Sequence, residues 1–156
     1  MDKAELKRII AAHDWLWAQW WPALLTLSPQ QARQAVGGSF PSLSATTAHM
    51  VWAEAAWLER LRGRAPMPAP AHPADLEGLY GLWQQIAAER QDWLEHADPD
   101  ARITYTYSGG TATNTVAEIV LHFISHAHFH RGQLASQMRL LGLQPPSVHL
   151  IGFFRL

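Results

Sequence analysis

Four of the nine histidines fall between residues 122 and 130, and three of them, His122, His126 and His130, recur every four residues. On a helix that interval sets them in one gently drifting row, one turn apart, while His128 points to nearly the opposite side. An i, i+4 pair of imidazoles can converge on one transition-metal ion without moving the backbone. Two ligands do not make a site, and the best third from another helix is His49, on the apolar side of its segment beside Trp52. Three neutral imidazoles leave at least one position open on zinc, nickel or a related divalent ion, the pattern of a reactive site rather than a closed structural one. Spacing alone fits an alternative equally well, in which His126 and His130 are buried groups hydrogen-bonded to a carbonyl or carboxylate. His13 reads as a satisfied core or interface group, and His72 and His96, beside connectors, as solvent-facing. No serine, histidine and acid constellation competes at readable spacing. Nor does the sequence place Glu54 or Glu59, on the same segment as His49, at a metal, so no catalytic residue is assigned.

Helices are needed to carry these residues, and the apolar periodicity supplies four long ones. The first runs from about Lys3 to Leu25, with Pro22 expected to end or kink it near Trp21. Ser28 to Pro41 reads as connector, with a short helix within Pro29 to Val36. Ser42 or Ser44 caps the second long helix, which continues to Leu61 and carries His49. A connector with four prolines, Gly63 to Pro73, precedes the third, about Ala74 to Ala97, the most regular stripe in the chain. Ile103, Tyr105 and Tyr107 alternate with threonines before Ser108, Gly109 and Gly110, predicting a small hairpin or extended ribbon. The last long helix opens at Thr115, whose spacing to Glu118 matches a capping box, and ends near Leu141, before Gly142. Gly132 within it predicts close approach of another helix. Arg131 and Gln133 are expected to satisfy buried carbonyls, helix ends or a partner. The apolar tail with Ile151, Phe153 and Phe154 is expected to pack down on the helices. The fold class is all-α: a four-helix bundle with a short extended or hairpin insert before the last helix, residues 1–156 forming one domain.

Composition narrows the function classes. Twelve basic and thirteen acidic residues give a net charge of −1, which provides no large positive field for a nucleic acid or an anionic membrane. The absence of cysteine excludes disulfides, thiolate-held zinc and cysteine nucleophiles, and leaves the redox compartment open. The opening MDKAELKRII lacks the apolar core of a signal peptide, and no apolar run is long enough for a membrane span, so the expectation is a cytoplasmic protein. Eight tryptophans, mostly at helical spacings, read mainly as core.

The stretch HFISHAHFHRGQLASQMRLLGLQPP resembles the C-terminal helix of the DinB-like family of bacterial metal-binding proteins. The shared pattern is a histidine, three residues, then HRGQ, then LG and a proline, here His126, His130, Arg131, Gly132, Gln133, Leu141, Gly142 and Pro145. AHMVWAEAAWLERL resembles that family's second helix, with its metal histidine at His49, and the likeness spans essentially the whole chain. The resemblance implies an up-down-down-up four-helix bundle, a homodimer, and one divalent ion, nickel or zinc, on His49, His126 and His130. It also implies a small-molecule substrate: relatives include transferases and isomerases that use low-molecular-weight thiols. A metal-dependent hydrolase and a non-catalytic, stress-associated metal-binding protein are the alternatives. Where many relatives have an aspartate after the terminal proline, this chain has His149, which removes a local negative charge.

Overall fold

The computed structural model describes residues 1–70 and 75–156; His72 and Ala74, and the expectations attached to them, lie outside the described residues. The described residues are mainly helical: α1 (Lys3–Leu25), α2 (Pro29–Arg33), α3 (Leu43–Leu61), α4 (Leu76–His96) and α5 (Val116–Leu140). A two-stranded antiparallel hairpin, β1 (Arg102–Tyr107) with β2 (Gly110–Thr115), precedes α5, and a 3-10 turn (Leu150–Arg155) follows it. Each α-helix opens on a side-chain oxygen that accepts from an otherwise orphaned backbone N–H: Asp2, Ser28, Ser42, Asp75 and Thr115. The Thr115–Glu118 capping box is present, and Ser42, not Ser44, caps α3. α5 closes where Gly142 takes φ +73°, a left-handed conformation a side chain would strain, and Leu143 N–H bonds back to the Met138 carbonyl.

Of the two outcomes expected at Pro22, an end of the helix near Trp21 does not occur. The helix runs through Pro22 to Leu25, because Trp20 and Trp21 before the proline and Leu24 after it are all buried, and that burial outweighs one missing backbone hydrogen bond.

Among the described residues the apolar core divides into two clusters. The larger joins Trp17, Trp20, Trp21 and Leu24 of α1, Leu43 to Leu58 of α3, Leu76 to Ile86 of α4, and Ala127 to Met138 of α5. The smaller joins Leu6 and Ile10 of α1, Leu61 of α3, Leu94 of α4, and Val116 to Ile124 of α5. Between them lies a buried polar layer. Glu54 accepts from His13 Nε2 (2.9 Å) and Trp17 Nε1 (2.6 Å) through one oxygen and from Arg90 Nη1 (2.9 Å) through the other. Arg90 also pairs with Asp14. Arg131, 1% exposed, stands in the same layer with its guanidinium 5.1 Å from the Trp17 ring centroid. Burial alone would raise the Glu54 carboxyl, but the His13 and Arg90 contacts and the Trp17 N–H hold it down to about 2. Burial lowers His13, so a neutral ring donates to an ionised carboxylate. His13 is thus a core histidine, as its position predicted, but it is satisfied only at Nε2; its buried Nδ1 has no hydrogen-bond partner.

The tail packs against α1 through Phe153, whose ring lies 6.1 Å from Trp15, and Phe154, which sits under the Arg8 guanidinium. Trp20 Nε1 donates to the Ser147 carbonyl, while Ile151 stays exposed. No helix among the described residues is long and apolar enough to cross a membrane.

Candidate metal centre

The three nominated histidines meet. His49 on α3 and His126 and His130 on α5 bring one ring nitrogen each within 4.8 Å of one another, the first two half-buried and His130 buried. His126 Nε2 lies 3.0 Å from His49 Nε2 and 3.1 Å from His130 Nε2. The remaining member of the row, His122, stays outside: its ring packs edge-on against Trp57, centroids 4.9 Å apart, and is exposed. His96 and His149 are exposed, and His128 is half-buried on another side of α5.

Hydrogen bonding fixes one tautomer and thereby tests the donor set. Gln133 Nε2 donates to Ser39 Oγ (2.8 Å), which turns Gln133 Oε1 toward His130 Nδ1 at 2.8 Å. That oxygen only accepts, so the His130 proton sits on Nδ1 and its Nε2 presents a bare lone pair. His126 Nε2 carries at most one proton and can donate to His49 or to His130, not to both. At least one of the two short nitrogen–nitrogen contacts is therefore without a hydrogen bond, an unfavourable arrangement that a cation held by three unprotonated Nε2 atoms would remove. The residues fit a late first-row divalent ion.

Burial, then His130 beside it, pushes His49 down to about 4, and burial with His130, His49 and His122 does the same for His126. Both rings are neutral at physiological pH, the form that ligates.

Aromatic side chains stand beside the rings. Trp52 lies 6.2 Å from His49, its N–H held by the Met67 carbonyl. The closer wall is Phe40, stacked on His49 at 4.3 Å and 26° and 5.7 Å from His130. Phe40 and Ser39 belong to the connector before α3, which Gln137 pins by donating to the carbonyls of Gly37 and Phe40. Sequence reading missed both residues, since a connector carries no periodicity to say what it faces. Gln133 was assigned a general structural role; its actual task is to orient a candidate ligand. The close approach expected at Gly132 is not made among the described residues: a methyl group added there would meet nothing within 4 Å. Glu54 is committed to the polar layer and Glu59 to Arg64, so neither is free to serve the histidines.

Four long helices, a hairpin ahead of the last, and three imidazoles converging from two of those helices define a helical protein with a centre able to hold a metal ion. A family model described as the DinB family matches residues 3–155, and the chain belongs to that family. No curated protein matches it.

Proposed function

We propose that His49, His126 and His130 bind one divalent transition-metal ion, nickel or zinc, and that the protein is a metal-dependent enzyme of the DinB family acting on a small molecule with a low-molecular-weight thiol. The observation that carries this reading is the convergence of three Nε2 atoms with His130 Nδ1 committed to Gln133. Such an ion supplies Lewis acidity, lowering the pKa of a water or thiol that reaches it. The chain's own residues do the rest. Gln133 holds the proton of His130 away from the centre, Phe40 covers His49, and low basicity keeps His49 and His126 ready to ligate. Three protein ligands leave at least one position for solvent or substrate.

The helices are proposed to form an up-down-down-up bundle. In support, α1 and α5 give their C-terminal halves to the larger cluster, whereas α3 and α4 give it their N-terminal parts. The protein is further proposed to act as a cytoplasmic homodimer, a reading supported by Phe129 and Leu140, 62% and 69% exposed on α5.

The test begins with elemental analysis of protein purified without a histidine tag or added metal, expected to give one equivalent of a divalent ion. Cobalt(II)-exchanged protein should show d-d bands that move on adding a low-molecular-weight thiol. Alanine at His126 or His130 should abolish both metal uptake and the thiol response. Unchanged metal content in either variant overturns the site, and bands unmoved by saturating thiol overturn the thiol reading.

A further inference from the structure

A cleft of about 420 Å³ opens beside the histidine cluster, between α3, the hairpin and α5. Three aromatic residues line it: Trp57 from α3, and Tyr105 and Tyr107 from β1. Strand alternation explains how the hairpin supplies two of them. Tyr105 pairs with Ala112 and Tyr107 with Gly110, so residues 103, 105 and 107 share one face while Thr104 and Thr106 take the other. Tyr107 is 51% exposed, yet its ring is placed by the turn: a methyl group on Gly109 would stand 2.4 Å from the Tyr107 ring. Trp57 and Tyr105 meet edge to face at 5.3 Å. The Arg60 guanidinium, outside the cleft, packs 4.5 Å from the Trp57 ring and 5.8 Å from the Tyr105 ring, holding both from behind.

Three polar side chains of the cleft, Tyr105, Asn114 and Glu118, bond one another. Tyr105 Oη donates to Asn114 Oδ1 (2.9 Å), Asn114 Nδ2 donates to Glu118 Oε2 (3.2 Å), and the same carboxylate caps α5 at Thr115 N. That chain leaves Tyr105 and Asn114 little to offer an occupant, and the carboxylate disfavours an anion. What remains is mostly aromatic and aliphatic surface, with Ala112 and buried Ile119 beneath it, and two exposed rings, Tyr107 on the hairpin and His122 on α5. The His122 side faces the candidate centre: the rings of His122 and His126 are 6.3 Å apart.

We propose that this cleft is the binding site for the substrate's planar, uncharged aromatic or conjugated portion, seated with its single hydrogen-bonding substituent toward His122 and the histidine cluster. The volume suits one such molecule, and stacking surfaces beside a self-bonded polar chain favour it. The assignment of the occupant as substrate rests on the metal-centre reading given above; the binding site itself does not.

The test uses 2-naphthol as the probe, titrated against the full-length protein by calorimetry and ligand-observed NMR. Saturable binding is expected, weakened about tenfold or more by Tyr107→Ala, which removes a wall, and by Ala112→Trp, which fills the cleft. Circular dichroism and the thermal midpoint should stay unchanged in both, since neither residue is in the helical core. His126→Ala should lose metal and keep naphthol binding, which separates the two assignments. In cobalt(II)-loaded protein the naphthol protons beside the hydroxyl should relax faster than in the zinc(II)-loaded form. No saturable binding, or equal binding by Ala112→Trp, overturns the site. Cleft-dependent binding without cobalt relaxation in a loaded sample overturns its use as the substrate site. If the protein takes up no cobalt, the metal-centre reading falls, while binding lost on Ala112→Trp still upholds the aromatic site.

Discussion

Where the proton of His130 sits decides whether its Nε2 can ligate, and Gln133 makes that choice through two hydrogen bonds of 2.8 Å. Gln133→Ala should therefore leave the fold intact and lower metal affinity about 10–100-fold, as loss of an orienting partner does elsewhere. Competition against a chelator of known affinity measures it, and an unchanged affinity would show that the tautomer is set by something else. At this scale the sequence was informative where spacing repeats. The four-residue interval of His126 and His130 follows from helical geometry alone. His49 needed the apolar pattern of its helix and a family likeness, because nothing in a one-dimensional string brings residue 49 to residue 126. Phe40 and Ser39 were out of reach, since their place is set by Gln137, about a hundred residues along the chain, reaching back to the connector. Glu54 was readable as a residue on an apolar helix, but not as the hub of three hydrogen bonds whose partners come from two other helices.

At the scale of elements, the helices and hairpin follow from caps, periodicity and turns, and the departures have local causes. Pro22 was tolerated because the turn around it is buried on both sides. Gly132 breaks a propensity rule without a packing reason among the described residues, so Gly132→Ala is expected to stabilise the isolated protein by up to about 1 kcal/mol in urea unfolding. A destabilised variant would mean that the space beside Gly132 is filled in solution. Glu54→Ala tests the opposite case. It leaves Arg90 buried without its α3 partner and should cost about 3–5 kcal/mol, read as a shift of the urea midpoint. A loss below about 1 kcal/mol would mean the layer is hydrated enough to tolerate the unpaired charge.

For the molecule as a whole, two measurements matter. Sedimentation at micromolar concentration is expected to give twice the 17.5 kDa chain mass, and a monomer alone would refute the dimer. Acid stability follows from the shifted groups. In the metal-free protein His49 and His126 protonate near 4, against 6.5 for the ordinary residue. Between those values the unfolded chain binds more protons, so stability is complete above about 6.5 and declines as the pH falls toward 4. Glu54, held down to about 2, adds a second decline below its ordinary 4.5. Urea midpoints of chelator-treated protein from pH 7 to 3 should trace both steps, and a His49→Ala, His126→Ala double variant should shrink the upper one, leaving the part that buried His13 supplies. A midpoint that rises on acidification from 6.5 would contradict the assignment.

The polar layer between the two apolar clusters also works as a keyway. Apolar helix faces are forgiving about register, because sliding one helix along another by a turn, about 5.4 Å, exchanges one greasy contact for another. Glu54 has no such freedom: its oxygens meet α1 at His13 and Trp17 and α4 at Arg90, while Arg131 of α5 lies over Trp17. A one-turn slip of any of the four would strand a charge or a polar ring in hydrocarbon. Since His49 stands five residues before Glu54 on the same helix, and His130 immediately before Arg131 on its own, the key that indexes the helices also sets the alignment at which the three imidazoles come together.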